Sequence, residues 1–450
     1  MKEQIKVLKY YLYYKYFLRL RSRRCLVRRQ ARRIKKHLQY VSSCSVLYRG
    51  KRKLRDYPIV DKEFMMEHFQ EINTVGIGRE EAEEFAVRAE RERNFLPKLR
   101  GVTVGLSSGT SGKRGIFLVS DEERVRWAGY ILAKFLPVRI WEKCSIGFFM
   151  RADSNLYQSI GSNRIAFHFF DIYQDLEKHK KRLEKIYPDI LVGQPSVLLE
   201  IGKDMEMDKL KISPRIVISI AEVLEREDEK RLKRMFGLKM IHQVYQCTEG
   251  FLASTCRCGT LHLNEEIVHI EKEYLDKKRF IPIVTDFERR AQPIIRYRLN
   301  DILVEKKGRC CCKSPCLALE KIEGREDDIF IFRGKDGKEK LVFPDFIRRC
   351  VLFAESEKEV KKEKWWENRE NVVYDYRVVQ KEDGGLIFYG DFTESEKGQI
   401  RQELKKLAED REFVMPQVVF EKYECEMGRK MKRVERKGSV ACKTHKAGVM

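Results

Sequence analysis

A segment rich in glycine and hydroxyl side chains, SSGTSGKRG at Ser107–Gly115, has the composition of a ligand-binding loop. It lies between two short apolar runs, which predicts a turn between two β-strands. Glycine lets the backbone approach a ligand closely, and hydroxyls, amides and cations favour phosphate oxygens. It is not a P-loop, because Arg114 follows Lys113 where that pattern requires Ser or Thr. The alternative is a plain polar turn. The predicted phosphate contacts are Ser107, Ser108, Gly109, Thr110, Ser111, Gly112 and Lys113.

Two further polar segments each follow an apolar run of the kind that forms a strand. Ile218–Leu224 reads ISIAEVL, and Tyr245–Gly250 reads YQCTEG. A carboxylate at a strand end, here Glu249, suits a Mg²⁺ ion that also takes nucleotide phosphate oxygens. Taken alone, the first segment is equally a strand-to-helix turn, and the second a solvated glutamate before a turn glycine.

Three charged segments follow in the second half of the chain. Thr285–Asp301 ends in YRLND, Ile322–Asp328 reads IEGREDD, and Gly428–Arg433 reads GRKMKR. Arg296 and Arg298 in the first segment are either surface residues or phosphate contacts at a strand end. On local grounds the last segment is a basic tail, so its interpretation depends on its place in the series.

Taken in order, the six segments resemble the motifs of the adenylate-forming superfamily, which includes acyl-CoA synthetases and aryl-acid ligases. They look most like the phenylacetate-CoA ligase-like branch that contains the coenzyme F (CoF) synthetases. That finer resemblance also uses the sequences FLA after Gly250 and LHLNE at Leu261–Glu265. The chain departs from the family pattern where Gln246 replaces a glycine and where Leu299 and Asn300 replace Thr-Gly.

The resemblance implies a role for each of these segments in binding ATP. Residues Ser219, Ala221 and Glu222 would form a wall around the adenine and acyl groups. The ring of Tyr245 would stack near adenine, and Thr248 would contact phosphate or the acyl group. In the same family pattern, Glu249 would be the Mg²⁺ ligand.

The remaining roles fall on the later segments. Asp301 would accept hydrogen bonds from both ribose hydroxyls, one for each carboxylate oxygen. Arg325 would contact ribose or phosphate, and Asp327 would be the pivot of a rotating C-terminal domain. Alignment of Lys-x-x-Arg places the catalytic lysine at Lys430, with Lys432 or Arg429 as alternatives. Such a lysine offsets charge that grows at the α-phosphate as pyrophosphate leaves.

The implied reaction joins ATP and a carboxylic acid into an acyl-adenylate, with Mg²⁺ and release of pyrophosphate. Transfer to coenzyme A or to a carrier thiol would follow. Two alternatives stay open: transfer of AMP to the hydroxyl of a deazaflavin-type acceptor, and an ATP-binding membrane-surface protein without turnover. The acyl pocket has no spacing signature, and the candidate residues are Arg151, Asn155, Tyr157 and His168.

Short apolar runs that alternate with helical patterns predict an α/β fold, with β-sheets covered by helices. The composition changes near Gly324, where a small, mobile α+β C-terminal lid domain would begin. The predicted domains are a basic helical extension at 1–55, an ATP- and acyl-binding core at 56–326 and the lid at 327–450.

Positive charge is concentrated in the N-terminal extension. Residues 1–55 contain 19 Lys and Arg and a single acidic residue, in a chain of net charge +23. A helix packed on the body with solvated arginines is the favoured interpretation, and contact with anionic membrane is the alternative. No nucleic-acid recognition motif accompanies the charge, so no specific nucleic acid is expected. The arginines concerned are Arg21, Arg23, Arg24, Arg28, Arg29, Arg32 and Arg33.

The chain has 13 cysteines and no pattern of an export signal or of a membrane span. We therefore expect a cytoplasmic protein with reduced thiols and no disulfide framework. Cys256 with Cys258 and Cys310 with Cys312 form two C-x-C pairs, and four thiolates fit a structural Zn²⁺. Cys311 or Cys316 could substitute as a ligand, and free buried cysteines are the alternative to a metal site.

Overall fold

A computed structural model of the chain describes residues 2–107, 114–137, 142–152, 157, 159–174, 176–351, 376–423 and 432–437. The chain forms two compact units. Unit 1 comprises Met1–Leu299 and Leu303–Ile322, and unit 2 comprises Asn300–Ile302 and Glu323–Met450. This division falls beside the composition change at Gly324, while the functional domain boundaries stay a prediction. Unit 1 includes the basic extension.

Helices form the N-terminal part of unit 1. Ser22 caps the second helix, because its side chain accepts a hydrogen bond from the Cys25 backbone amide at 3.2 Å. A π-helical turn at Tyr13–Phe17 follows the first helix. The helices are α1 (Lys2–Leu12), α2 (Arg23–Cys44), α3 (Lys62–Glu67), α4 (Phe69–Ile72) and α5 (Arg79–Arg91).

Helices α1 and α2 pack on unit 1 through apolar and polar contacts. Tyr11, Leu38 and Val41 are buried in the main hydrophobic core. Gln30 is also buried, and its amide nitrogen donates to the carbonyls of Glu265 and Val268, each at 2.9 Å. These contacts confirm a helical N-terminus that is packed on the body.

Some of the basic side chains of α2 also contact the rest of unit 1. Arg23 pairs with Glu265, Arg33 pairs with Glu288, and Arg29 donates to the Glu266 carbonyl. These pairs favour the packed-helix interpretation, and nothing in the described residues supports contact with lipid. No helix in the part of the chain that the structure describes is long and apolar enough to cross a bilayer.

The glycine-rich segment connects two antiparallel strands, as predicted. Strand β1 (Val102–Leu106) pairs with β2 (Ile116–Ser120), with Leu106 opposite Ile116. Helix α6 (Asp121–Phe135) follows at once, with the capping box that Ser120 and Glu123 encode. The geometry fixes both ends of the candidate phosphate loop.

A parallel sheet forms the α/β part of unit 1. Its strand order is β4-β3-β5-β6-β7, and helices connect β4 to β5, β5 to β6 and β6 to β7. The alternation of short apolar runs and helices is confirmed. The elements are β3 (Cys144–Met150), β4 (Ile165–Asp171), α7 (Leu176–Ile186), β5 (Ile190–Gly193), α8 (Pro195–Glu206), β6 (Ile216–Ser219), α9 (Arg226–Met235) and β7 (His242–Cys247).

The same sheet continues as antiparallel strands beyond β7. The order there is β7-β8-β9-β14-β13-β11-β10, and β12 also pairs with β11. The strands are β8 (Gly250–Thr255), β9 (Leu261–Leu263), β10 (Val268–Tyr274), β11 (Arg279–Asp286), β12 (Ile294–Arg298), β13 (Asp301–Glu305) and β14 (Ala318–Arg325).

Unit 2 is an α+β unit with its own hydrophobic core. A four-stranded sheet has the order β19-β18-β17-β20, and a hairpin of β15 and β16 precedes it. Thr393 and Glu396 form a capping box at the start of the long helix. The elements are β15 (Phe330–Arg333), β16 (Glu339–Val342), α10 (344–351), β17 (Arg377–Gln380), β18 (Leu386–Tyr389), α11 (Glu394–Asp410), β19 (Val418–Glu421) and β20 (Val434–Arg436).

Candidate functional site

The YQCTEG segment forms the tip of a β-hairpin. Strands β7 and β8 are antiparallel with Cys247 opposite Gly250, so Thr248 and Glu249 are the two residues of the turn. The half-buried Glu249 carboxylate lies near the Tyr297 hydroxyl. Burial raises the pKa of Tyr297, and the neighbouring Glu249 charge raises it further. The phenol therefore stays protonated beside the carboxylate.

Arg289 ties this hairpin tip to the strand that follows the glycine-rich segment. Its guanidinium donates to the carbonyl of Thr248 and to the carbonyl of Leu118 in β2, each at 3.1 Å. Gln292 supports β2 from the same side, because it donates to Ile116 at 3.2 Å and accepts from Leu118 at 3.0 Å. The sequence analysis missed both residues, since neither belongs to a motif with a recognisable spacing.

A buried carboxyl group lies directly beneath the hairpin tip. A Cβ atom added at Gly250 would lie 2.9 Å from Asp286 Oδ2, so only glycine fits at this point of the turn. Burial raises the pKa of Asp286 to about 7, although the Arg289 guanidinium opposes the rise. The group was not predicted, because strand burial depends on tertiary packing.

The described ends of the glycine-rich segment are fastened to each other. Ser107 donates its amide to the Gly115 carbonyl at 2.7 Å, and the Gly115 amide donates to Ser107 Oγ, also at 2.7 Å. Arg114 pairs with Glu90 and donates to the Ser107 carbonyl, so its guanidinium supports the loop base. The remaining predicted contacts lie outside the described residues: Ser108, Gly109, Thr110, Ser111, Gly112 and Lys113.

The ISIAEVL segment ends β6 and turns sharply. Ser219 is buried at the strand end, and Ala221 has a φ of 65°, a left-handed conformation that is strained for a residue with a side chain. The Glu222 carboxylate accepts from the hydroxyl of Ser196 at 3.0 Å, at the start of α8. The contacts place Glu222 in a structural role here, and its predicted contact with the nucleotide is untested.

An aromatic group lies beside the hairpin. Tyr245 is buried in β7, and Trp127 donates its indole N–H to the Gln246 side chain at 3.2 Å. The ring of Tyr157 lies 5.7 Å from Trp127 and 4.6 Å from Phe148, measured between centroids. Half-buried aromatic rings next to a motif side chain are suited to contact an apolar ligand.

The structure says less about the other three predicted acyl-pocket residues. Arg151 contacts the Tyr173 ring and hydroxyl, on the exposed side of the sheet end. His168 lies on β4, and burial lowers its pKa. Asn155 lies outside the described residues.

In unit 2, the ribose-motif aspartate meets the hinge signature. Arg325 Nε lies 3.5 Å from Asp301 Oδ1, and Asn300 donates its side-chain amide to Asp327 at 2.9 Å. The Glu326 amide also donates to the Asn300 carbonyl at 2.6 Å. These contacts join two motifs that are distant in sequence. Asn300, which replaces a family glycine, takes part in them.

The basic segment near the C-terminus is described only in part. Lys432 forms an ion pair with the buried Asp328 at 2.6 Å, and burial raises the pKa of Asp328 against the effect of this lysine. The side chain of Arg433 lies over the Tyr376 ring. Lys430, the predicted catalytic lysine, lies outside the described residues.

The cysteine predictions need two corrections. Cys258 and Cys311 are joined by a disulfide, so Cys258 is not available as the predicted zinc ligand, and the prediction of wholly reduced thiols is wrong for this pair. Cys256, Cys310 and Cys312 do come together, and the fourth member of their cluster is His262. The sequence analysis missed this histidine, which lies inside the LHLNE segment.

The residues around the hairpin tip fit a Mg²⁺ ion bound together with a nucleotide. Glu249 supplies one oriented carboxylate, and the Thr248 hydroxyl is next to it in the turn. Mg²⁺ prefers oxygen ligands and commonly takes one or two protein carboxylates, with water and phosphate oxygens completing the shell. A single carboxylate at a turn matches that requirement.

Comparison with known proteins gives sequence relatives over part of the chain. No protein-family model matches. The chain is 28% identical to an indoleacetate–lysine synthetase of Pseudomonas savastanoi over 271 residues, 56% of this chain and 63% of that protein. It is 24% identical to a phenylacetate-coenzyme A ligase of Pseudomonas putida over 276 residues, 57% of this chain and 61% of that protein. The chain thus matches less than two thirds of the length of these curated relatives.

Solved structures extend the likeness to most of the fold. A 2-hydroxyisobutyryl-CoA ligase in the postadenylation state superposes with a TM-score of 0.64 at 14% identity, over 92% of this chain and 88% of that one. The amide bond synthetase McbA from Marinactinospora thermotolerans gives 0.50 at 12% identity, over 72% and 66%. At such identities the likeness concerns the fold alone.

The fold, the ordered motifs and the sequence relatives agree with one another. These relatives support the prediction from the motifs that the chain is an adenylate-forming superfamily member. Its sequence is similar to phenylacetate-CoA ligases, and the narrower resemblance to CoF synthetases stays a prediction.

Proposed function

We propose that this protein is an ATP-dependent adenylating enzyme that activates a carboxylic acid and then transfers the acyl group to a thiol such as coenzyme A. The observation that carries the proposal is the closeness of Tyr297 to Glu249, whose negative charge raises the pKa of the phenol. It brings the Thr-Glu turn and the YRLND segment together, as a shared nucleotide site requires. The sequence relatives, which are a synthetase and a CoA ligase of carboxylic acids by name, support the same chemistry.

In the proposed reaction a carboxylate oxygen of the acid attacks the α-phosphorus of ATP. The bond from that phosphorus to the bridging oxygen breaks, and pyrophosphate leaves with the electron pair. Because the carboxylate is already a competent nucleophile, the protein mainly positions the reactants and offsets negative charge. A bound Mg²⁺ would offset part of that negative charge.

Each residue has a defined task in this proposal. Glu249, beside Tyr297, supplies the metal ligand atom, and Arg289 keeps the turn against β2. Asp301 binds the ribose hydroxyls, and Lys430 contacts the reacting carboxylate and α-phosphate. The described base of the glycine-rich segment, from Ser107 to Gly115, supports the phosphate loop.

We further propose that the acid is aromatic. The Trp127 and Tyr157 rings are edge-to-face, the Phe148 ring is tilted by 40° to that of Tyr157, and Trp127 is hydrogen-bonded to Gln246 in the YQCTEG segment. Aromatic pairs of this kind favour a ring as their next neighbour. The relatives' names, indoleacetate and phenylacetate, point to the same class of acid.

ATP–pyrophosphate exchange against a panel of aryl, fatty, hydroxy and amino acids tests this proposal. We expect exchange that depends on an aryl acid, and a loss of about 100-fold or more in Glu249→Gln, since charge-stabilising groups contribute on that scale. Glu83→Gln on α5, an exposed glutamate whose pair with Arg79 spans 4.0 Å, is the control and retains exchange.

Two results would contradict the proposal. Exchange in Glu249→Gln equal to the wild type would remove this carboxylate from the site. ATP binding without exchange for any acid would favour the alternatives, AMP transfer to a hydroxyl acceptor or an ATP-binding protein without turnover. Added deazaflavin-type acceptors, followed by detection of an AMP adduct, separate those two.

The catalytic lysine is tested by a matched pair of variants. Lys432 is engaged with Asp328 at 2.6 Å, which supports Lys430 as the lysine left for chemistry. We expect Lys430→Ala to lose exchange and Lys432→Ala to retain most of it. The opposite pattern would assign the role to Lys432 and overturn the alignment of this segment.

A further inference from the structure

Four potential metal ligands from distant parts of unit 1 converge near the turn between β8 and β9. Cys256 follows β8, His262 lies in β9, and Cys310 and Cys312 lie in the connection from β13 to β14. Their ligand atoms all lie within 4.8 Å of one another. His262 is buried, and the three cysteines are half-buried, so the cluster is largely shielded from solvent.

The distances in this cluster match the edges of a tetrahedron around zinc. Zn–S bonds of about 2.3 Å and Zn–N bonds of about 2.0 Å imply S···S edges of roughly 3.8 Å and S···N edges of roughly 3.5 Å. The Cys256 and Cys310 sulfurs are 3.7 Å apart, and Cys312 Sγ lies 3.4 Å from His262 Nε2. These two distances therefore match tetrahedral edges, and all the ligand atoms lie within 4.8 Å of one another.

Surrounding groups orient the ligands in the way that metal sites require. His262 Nδ1 lies 2.9 Å from the Cys316 carbonyl, which can only accept, so Nδ1 carries the proton and Nε2 presents its lone pair to the cluster. Backbone amides of Cys258 and Ser314 donate to the sulfurs of Cys256 and Cys312, each at 3.4 Å. Such amide donors stabilise thiolates, which are the zinc-binding form of cysteine.

We propose that Cys256, His262, Cys310 and Cys312 bind one structural Zn²⁺ as a Cys₃His site. Four protein ligands leave no open position, which separates this site from catalytic zinc chemistry. On binding, the three thiols release their protons to solvent and the sulfurs donate electron pairs to the metal, with no change of oxidation state. The site takes His262 in place of the Cys258 that spacing alone suggests.

The proposed metal fastens a connection that has little regular structure of its own. Between β13 and β14 the chain forms turns and bends, and the Cys310–Lys313 turn contains a positive φ of 60° at Lys313. Zinc would link this connection to the β8–β9 turn. The neighbouring Leu317 amide donates to Glu265, the partner of Arg23, so the same region supports docking of α2.

Metal analysis of the full-length protein, purified under reducing conditions, tests the site. We expect about one zinc per chain, and the thiol reagent p-hydroxymercuribenzoate should release it. The variants Cys256→Ala, His262→Ala and Cys312→Ala should each hold less than about a fifth of the wild-type zinc, because three ligands bind far more weakly than four. Cys316→Ala, in the same connection, is the matched control and keeps its zinc.

Cobalt gives a second measurement that does not depend on a variant folding. Co²⁺ added to the metal-free wild type should give visible bands and a thiolate charge-transfer band typical of tetrahedral sulfur and nitrogen ligation. A wild-type protein that holds no stoichiometric zinc after reconstitution, or that holds iron instead, would overturn the proposal. So would zinc that survives in the tetrad variants and is lost in Cys258→Ala/Cys311→Ala, since that result assigns the metal to the other thiols. Adenylation activity is not the readout, so this outcome is independent of the proposed function.

Discussion

At the scale of single residues, the protein places ionisable groups in environments that fix their protonation. Asp286 lies beneath the hairpin tip with its pKa raised to about 7 by burial. Glu288 is buried two residues later, and its charge is matched by Arg33 and Arg126. Asp286 is thus affected by burial, Glu288 is held in two ion pairs, and each residue leads to a separate expectation.

Asp286 should make stability fall as the pH rises. Between its usual value and about 7 the folded protein keeps a proton that the unfolded chain has released, so higher pH favours unfolding. We expect a loss of roughly 3 kcal/mol between pH 5 and pH 8 from this group. Asp286→Asn should remove that loss, and urea unfolding of both proteins at the two pH values measures it.

The comparison uses the difference between the two proteins, because other groups act in the opposite direction. Burial lowers the pKa of His37 to about 3, so its contribution to stability is lost as the pH falls below its usual value. His37 is present in both proteins and cancels. Equal pH dependence in wild type and Asp286→Asn would contradict the expectation.

Removing the charge of Glu288 should lower the stability of the protein. Burial alone would lower the pKa of Arg126, but the Glu288 carboxylate outweighs it and raises the pKa. Glu288→Gln leaves the Arg126 charge buried without its main partner, which costs about 3 kcal/mol. Urea unfolding measures the change, and Glu83→Gln, in an exposed pair, should shift stability by less than about 0.5 kcal/mol. If Glu288→Gln lowered the stability only slightly, that result would show that water replaces the ion pair with Arg126.

At the scale of elements, helix α1 depends on a glycine in the middle of α6. A Cβ atom at Gly129 would lie 2.8 Å from the Val7 carbonyl and 2.9 Å from the Tyr11 amide nitrogen, both backbone atoms of α1. Glycine within a helix costs about 1 kcal/mol relative to alanine. Glycine is unfavourable within a helix, but its lack of a side chain allows the two helices to approach closely.

Alanine at this position should weaken the docking of α1. We expect Gly129→Ala to destabilise the protein by about 1–3 kcal/mol, because overpacking outweighs the gain in propensity. Gly398→Ala on α11 is the matched control: its Cβ would meet nothing within 4 Å, so it should stabilise by about 0.5–1 kcal/mol. Hydrogen exchange of the α1 amides locates the effect. If the α1 amides of Gly129→Ala were protected from exchange as well as those of the wild type, the expected weakening of α1 docking would be wrong.

At the scale of the whole molecule, the two units have separate cores. Phe280 is fully buried in the core of unit 1, and Phe388 is fully buried in that of unit 2. Deleting either ring costs about 3–5 kcal/mol in the unit that holds it. We expect Phe280→Ala and Phe388→Ala to lower different transitions in scanning calorimetry. A single transition that shifts equally in both variants would show that the units unfold as one.

The sequence by itself determined the features that depend on neighbours within a few residues. The strands on either side of the glycine-rich segment were predicted and are confirmed, and the capping boxes of Ser120 with Glu123 and of Thr393 with Glu396 are local features of the same kind. A cap or a turn closes hydrogen bonds inside one short segment, so its residues encode it directly. The ordered motifs likewise predicted the similarity to adenylate-forming proteins that the sequence relatives support.

Only the tertiary structure decided which distant side chains meet. His262 instead of Cys258 in the thiol cluster, Tyr297 on Glu249, and Arg289 between the hairpin tip and β2 all depend on sheet order and register. In a strand, a shift of one residue turns a side chain to the opposite face. Spacing in the sequence therefore names the candidate ligands, while the pairing of strands selects those that reach the site.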